Sequence, residues 1–172
     1  MLLLSALLAL AGEPAPLTVA SFDFNEGQAM PAVVTCEGAG RPPCLRWEGV
    51  PAGTQAFAIL VDDPDAPDPA APKTTWTHWI LYDLPASTSI VPPGAPLPEG
   101  TRVGTNGWGK PEYGGPCPPI GEHHYRHQVF ALDQTLGELP TPDREHLLQA
   151  MRGHVLAQGT LTGTYAKQAP AK

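Results

Sequence analysis

Nearly all the polar groups in this 172-residue chain that could do chemistry fall in three segments. The first is Asp62-Asp63-Pro64-Asp65-Ala66-Pro67, where a carboxylate leaves an apolar run and enters a turn held by two prolines. The second is Thr74 to Pro85, in which His78 sits among Trp76, Trp79 and Ile80. A histidine inside so apolar a strand needs a polar partner, because an unpaired buried polar group costs free energy. The third runs from Tyr113 to Asp133 and holds Gly114, Gly115, Cys117, Pro119, His123, Tyr125 and His127. Backbone amides of a stiff Gly/Pro loop, imidazole N–H and phenol O–H groups are the donors an oxyanion needs. A carboxylate such as Asp63 can fix the tautomer of a neighbouring histidine, so that its other nitrogen donates. The chemistry indicated is the grip of a phosphate-like anion.

Two other chemistries compete with it. His123-His124-x-x-His127 has the look of a metal cluster. Its flanks read as strand, however, and strand residues four apart lie about 13 Å from each other. Zinc–nitrogen bonds are about 2 Å, so no metal site is expected. Cys117 with His123 could form a thiol–imidazole pair, and two histidines with a carboxylate could run acid–base chemistry, so a small hydrolase using His123 or Cys117 is the alternative function. No GxSxG and no phosphate loop ending in GK[ST] occurs.

The elements that must position these groups are short strands. Apolar residues make up 42% of the chain, enough for one core, and 22 prolines and 18 glycines punctuate it. Strands are predicted over 17–24, 32–36, from 45 to beyond 47, and over 56–61, 75–82, 125–132 and 155–165. In a regular strand His78 shares a face with Trp76 and Ile80, opposite Thr77, Trp79 and Leu81. A helix is predicted from Pro142 to about His154, with Thr141 as its cap and Leu147, Leu148 and Met151 as its apolar stripe. The fold class is mainly β, an antiparallel sandwich with one or two peripheral helices near the C-terminus. The Gly/Pro-rich stretch 102–122, with Trp108 and Tyr113, is long enough for a functional loop.

A formal charge of −7 argues against nucleic acid or an anionic membrane surface as the main partner. Residues 2–11 form an apolar run too short to span a bilayer. The organisation read is a signal peptide over 1–11, one domain over 17–167 and a disordered tail over 168–172, with export to the periplasm or medium. The alternative is a cytoplasmic protein in which this run is a buried N-terminal strand or helix, or follows a misassigned start codon. Cys36, Cys44 and Cys117 show no CxxC spacing. Cys36–Cys44, Cys36–Cys117 and three free thiols all stay open.

Together the segments resemble the phosphatidylethanolamine-binding protein family, in its bacterial branch of Raf-kinase-inhibitor-like proteins. The resemblance rests on Asp63-Pro64-Asp65-Ala66-Pro67, Trp76-x-His78, the G-x-N-x-W-G at 104–109, and Gly115-Pro116-Cys117-Pro118-Pro119 with His123-x-Tyr125. It covers about residues 20–166. It implies a β-sandwich with an anion pocket lined by Asp63, His78, His123 and Tyr125 and rimmed by Cys117 and Pro119. The full ligand set it implies adds Asp65, Pro67, Trp76 and Gly115, with no catalytic residue, no metal and no cofactor. It also implies a non-enzymatic protein that binds phosphate-type groups, with a kinase or protease as the protein target in some members. The chain departs from the family pattern at His124, where an arginine is usual, and at Gly40-Arg41-Pro42-Pro43-Cys44, which replaces an N-x-S-P segment.

Overall fold

A computed structural model describes residues 15–168. The proposed leader (1–11) and residues 169–172 of the proposed tail lie outside them. Nine strands are described: β1 Ala15–Pro16, β2 Thr18–Ser21, β3 Leu45–Glu48, β4 Ala56–Asp63, β5 Trp76–Pro85, β6 Ile90–Val91, β7 Arg102–Val103, β8 Glu122–Leu132 and β9 Val155–Ala166. One α-helix, α1, spans Arg144–Ala150. The strands form a six-stranded sheet in the order β1-β9-β8-β4-β5-β7 and a three-stranded sheet in the order β2-β3-β6. Pairing is antiparallel except between β1 and β9.

The sequence accounts for this layering. All eight residues of β4 are buried, because it lies inside the larger sheet with both faces covered. Its odd positions, Phe57, Ile59 and Val61, pack towards the smaller sheet with Trp47, Trp79, Leu81 and Val129. Its even positions, Ala58 and Leu60, meet Ile80, Phe130, Leu147 and Met151 on the helix side. Asp62 continues the even positions. Fully buried, it accepts from Arg126 Nε at 2.9 Å and Arg144 Nε at 3.2 Å, which ties the start of α1 to the sheet.

Two expected elements differ. The 32–36 segment is not a strand: Ala32–Val34 is a 3-10 turn, with Thr35 Oγ1 and Thr35 N–H both donating to Ala32 O. The side chain of Thr35 offers the backbone a local bond that a strand would forgo. The helix is shorter than 142–154 and is capped by Asp143 rather than Thr141. The Asp143 carboxylate accepts from His146 N–H at 3.0 Å. A carboxylate this close also complements the helix dipole, so the helix begins after Asp143.

The register of β5 sets the position of His78. Val61 stands opposite Trp79, but Asp62 stands opposite Thr77. β5 therefore holds one more residue than β4 at that point, and the extra residue is His78. Such a bulge re-aims the side chain of the inserted residue. It overturns strict alternation: Trp76 stands opposite Asp63 and shares its face with Trp79, while Ile80 faces the helix. A second shift lies between Phe57 and Ile59, around Asp83, whose φ of 56° is tolerated by an aspartate.

The buried polar groups of this core lend themselves to measurement. Asp62→Ala leaves two guanidinium groups facing a void and is expected to lower unfolding free energy by about 3 kcal/mol, read by urea titration. His127 is wholly enclosed beside Phe24, with Nδ1–H donating to Tyr125 O at 3.1 Å and Nε2 unpartnered. Burial lowers its pKa from 6.5 to about 4. Below the unfolded value the unfolded chain takes up this proton first, so stability intact at neutral pH falls with acidification. The slope is about 1.4 kcal/mol per pH unit through the window from 6.5 to about 4. Replacing the ring in His127→Leu is expected to flatten that slope, measured by denaturant unfolding across the same window.

Candidate functional site

Antiparallel pairing brings the end of β4 and the beginnings of β5 and β8 to one edge of the larger sheet. A cavity of about 280 Å³ lies there, lined by Asp63, Ala66, Pro67, Thr74, Trp76, His78, Trp108, Cys117, Pro118, Pro119, His123 and Tyr125. Eight of the ten residues implied by the resemblance are in this lining. Asp65 is not: its carboxylate accepts from both N–H and Nδ1–H of His124 on the outer side of β8. Gly115 instead lines a neighbouring hollow with Cys36, Asn106 and Lys110. Its α-carbon packs against Thr35 and Val34 with little room for a side chain.

The loop walls are stapled in place. A Cys36–Cys117 disulfide joins the 3-10 turn to the Gly/Pro loop, leaving Cys44 free and half-buried. Around it, Cys36 N–H donates to Pro116 O at 3.0 Å and Tyr113 Oη to Val34 O at 2.9 Å. Asn106, buried, folds the preceding loop on itself: Nδ2 donates to Glu112 O, and Oδ1 accepts from the N–H groups of Trp108 and Lys110. This turn places Trp108, half exposed, over the cavity, with its ring edge-on to both Trp76 and His78. Gly114 lies flat beneath that ring, where any side chain would collide. Sequence reasoning does not place Trp108, Thr74, Ala66 or Pro118 in the lining. The Asn106-x-Trp108 spacing is the available signal for the first of them.

Hydrogen bonds decide what each polar group can offer. His78 Nδ1 is 2.6 Å from Gly114 O, and Gly114 N–H donates back to His78 O at 2.9 Å. A carbonyl only accepts, so Nδ1 carries the hydrogen and Nε2 is left with a lone pair. Burial, the largest influence, lowers the pKa of this imidazole and favours that neutral form. His123 differs from expectation. Its Nδ1 is 2.7 Å from Asp63 Oδ2 and its Nε2 is 3.0 Å from Ile120 O. Both partners are acceptors, so both bonds are satisfied together only when both ring nitrogens carry hydrogen. His123 thus orients Asp63 and the loop at Ile120, and its second nitrogen does not point a free N–H at a ligand.

Asp63 is further held by Asp65 N–H, which donates to Oδ1 at 2.8 Å. Tyr125 is stacked near His123 and meets the His78 ring edge-on. Its hydroxyl is buried without a partner, and burial, followed by the nearby Asp63, pushes its pKa up, so it remains a phenol. No Lys or Arg lines the cavity among the described residues. Arg126, the arginine nearest in sequence to His124, points to the other face and binds Asp62. Cys117 has its sulfur in the disulfide, which removes the thiolate that a Cys117-based hydrolase needs. The described residues hold no group of three or more His, Cys, Asp or Glu arranged for a metal, and His123 and His127 are engaged separately.

Comparison with known proteins agrees with this architecture. An archaeal UPF0098 protein of Methanothermobacter thermautotrophicus is 40% identical over 148 residues, covering 84% of this chain and 95% of the relative. A Chlamydia trachomatis homologue, CT736, superposes with a TM-score of 0.82 at 34% identity, covering 89% of this chain and 99% of its own. Escherichia coli YbcL, described as a member of the mammalian PEBP family, superposes with a TM-score of 0.80 at 30% identity, covering 90% of this chain and 100% of its own. The family pattern itself is matched over residues 20–166, and the chain belongs to the phosphatidylethanolamine-binding protein family.

Proposed function

We propose that the cavity binds a phosphate-type oxyanion, free or at the end of a small organic molecule, and that the protein acts by binding rather than catalysis. The observation that carries this reading is the Tyr125 hydroxyl: a buried donor with no partner, in a wall shared with His78 and Asp63. A buried hydroxyl left unpaired costs about 1–3 kcal/mol, which a ligand oxygen recovers. The remaining wall is largely carbon, from Trp76, Trp108, Pro67, Pro118 and Pro119, and suits the organic part of a phosphorylated ligand.

Neither group named for the catalytic alternative is free to act. Cys117 is bonded to Cys36, and both His123 nitrogens are engaged by oxygen acceptors. An exported setting fits the disulfide, since such bonds persist in oxidising compartments. A regulatory role towards a protease or kinase is a proposal from family membership alone.

Titration with inorganic phosphate and with phosphoethanolamine, followed through imidazole NMR signals, tests the reading. The His78 resonances are expected to move at millimolar ligand, while those of His154, on the surface with Asp133, stay in place. Tyr125→Phe removes only the hydroxyl and is expected to weaken binding by roughly 3- to 10-fold. A still His78 signal at millimolar concentrations of both ligands counts decisively against an anion pocket.

A further inference from the structure

The polar groups of this cavity do not suit every oxyanion equally. Alongside the Tyr125 donor stand two acceptors: the His78 Nε2 lone pair, left by the bond from Nδ1–H to Gly114 O, and the Asp63 carboxylate. His123 offers the cavity nothing further, since both ring nitrogens are engaged, by Asp63 and by the Ile120 carbonyl. No guanidinium or ammonium lines the wall among the described residues. A ligand that only accepts hydrogen bonds would set its oxygens against His78 Nε2 and Asp63. A ligand carrying one hydrogen on oxygen would satisfy His78 Nε2, the acceptor left without a partner, since Asp63 already accepts from His123 and from Asp65 N–H.

We propose that the pocket is selective for phosphomonoesters over phosphodiesters and sulfate esters, because His78 Nε2 requires a ligand hydrogen that only the monoester supplies. This rests on the anion-pocket reading above and narrows its ligand class. In the complex one hydrogen is shared between a phosphoryl oxygen and Nε2, and another phosphoryl oxygen accepts from Tyr125 Oη. The bound pair then holds one proton more than a phosphomonoester dianion and an empty pocket. The groups that face His78 are Asp63 from β4, His123 and Tyr125 from β8, and the Gly114 carbonyl and Trp108 ring from the loop, while Asp62 acts on it through the sheet from the other face. Burial and His123 oppose a second proton on the ring, while the Gly114 carbonyl and the two aspartates favour it.

Methyl phosphate, dimethyl phosphate and methyl sulfate separate the possibilities. At about pH 5 all three carry one negative charge, and only methyl phosphate has a P–OH, its second pKa being about 6. Calorimetric titration is expected to show methyl phosphate binding roughly tenfold or more tightly than either analogue. At about pH 8, titrations in buffers of different ionisation enthalpy are expected to show uptake of about one proton per methyl phosphate. His78→Asn keeps an amide near Nδ1 to meet Gly114 O and deletes Nε2. It is expected to bring the preference close to unity while leaving the thermal unfolding midpoint near that of the parent protein.

The outcomes are distinct. Binding of all three ligands within about twofold, with no proton uptake, overturns the selectivity and leaves the anion pocket standing. Absence of binding by methyl phosphate at both pH values overturns the pocket itself, and the selectivity with it. A preference that persists in folded His78→Asn overturns the assignment to His78.

Discussion

The side chain and backbone of His78 close on the backbone of Gly114 through two opposed hydrogen bonds, and the site is organised around that closure. One bond fixes the imidazole as the Nδ1–H tautomer. The other holds the Gly/Pro loop against the outer edge of β5. That edge is otherwise paired only over Leu81 and Tyr82, with β7. Gly104 N–H to Ile80 O and Gly107 N–H to Thr77 O continue the seam, so a loop serves as the last strand of the sheet. An unpaired edge invites association with other chains, and here it becomes the wall of a pocket instead. The arrangement depends on the extra residue in β5. Regular register would turn His78 to the helix side with Ile80, into an apolar layer with no partner for its nitrogens.

Asp63 and His123 complement this by fixing each other inside the site. The carboxylate is held by the imidazole on one oxygen and by Asp65 N–H on the other. The imidazole in turn holds the loop at Ile120 through its second nitrogen. The pair is nearly inaccessible to solvent and needs both hydrogen bonds to offset its desolvation. Its product is position: a carboxylate oriented at the cavity and hydrogen-bonded from behind. Under the proposed anion reading, affinity comes from neutral donors, from proton sharing and from the carbon walls, which sets this pocket apart from one built on arginine.

The sequence shows the sandwich and most of the lining, and the reasons are local. β4 is a buried run of β-branched, aliphatic and aromatic residues ended by prolines, and β8 alternates cleanly, so both are visible without knowledge of their partners. The lining residues lie at the ends of such strands or in proline-fixed turns. What stays hidden depends on contacts between distant segments. The bulge at His78 is a relation between β4 and β5, and nothing within β5 marks it. The choice among Cys36–Cys44, Cys36–Cys117 and free thiols depends on where the 3-10 turn meets the loop. From sequence the second nitrogen of His123 is free for a ligand, because the approach of the Ile120 carbonyl is a matter of how the loop folds back.

The adjacent aspartates at the end of β4 show how finely strand alternation divides labour. Asp62 and Asp63 are both buried acids, one residue apart, on opposite faces of one sheet. On the helix side, Asp62 meets two guanidinium groups, and its charge is spent on holding α1. On the cavity side, Asp63 meets an imidazole and remains at the wall of a pocket. The same alternation sorts β8, whose His123 and Tyr125 face the cavity while His124 and Arg126 bind Asp65 and Asp62 outside it. Substituting histidine for the family's usual arginine at 124 therefore changes an outer contact and leaves the cavity's own groups untouched. A one-residue slip of β8 against β4 would exchange the two sets at once, placing an arginine in the pocket and a phenol against Asp62. That no Lys or Arg among the described residues lines the cavity is thus a property of register as much as of composition.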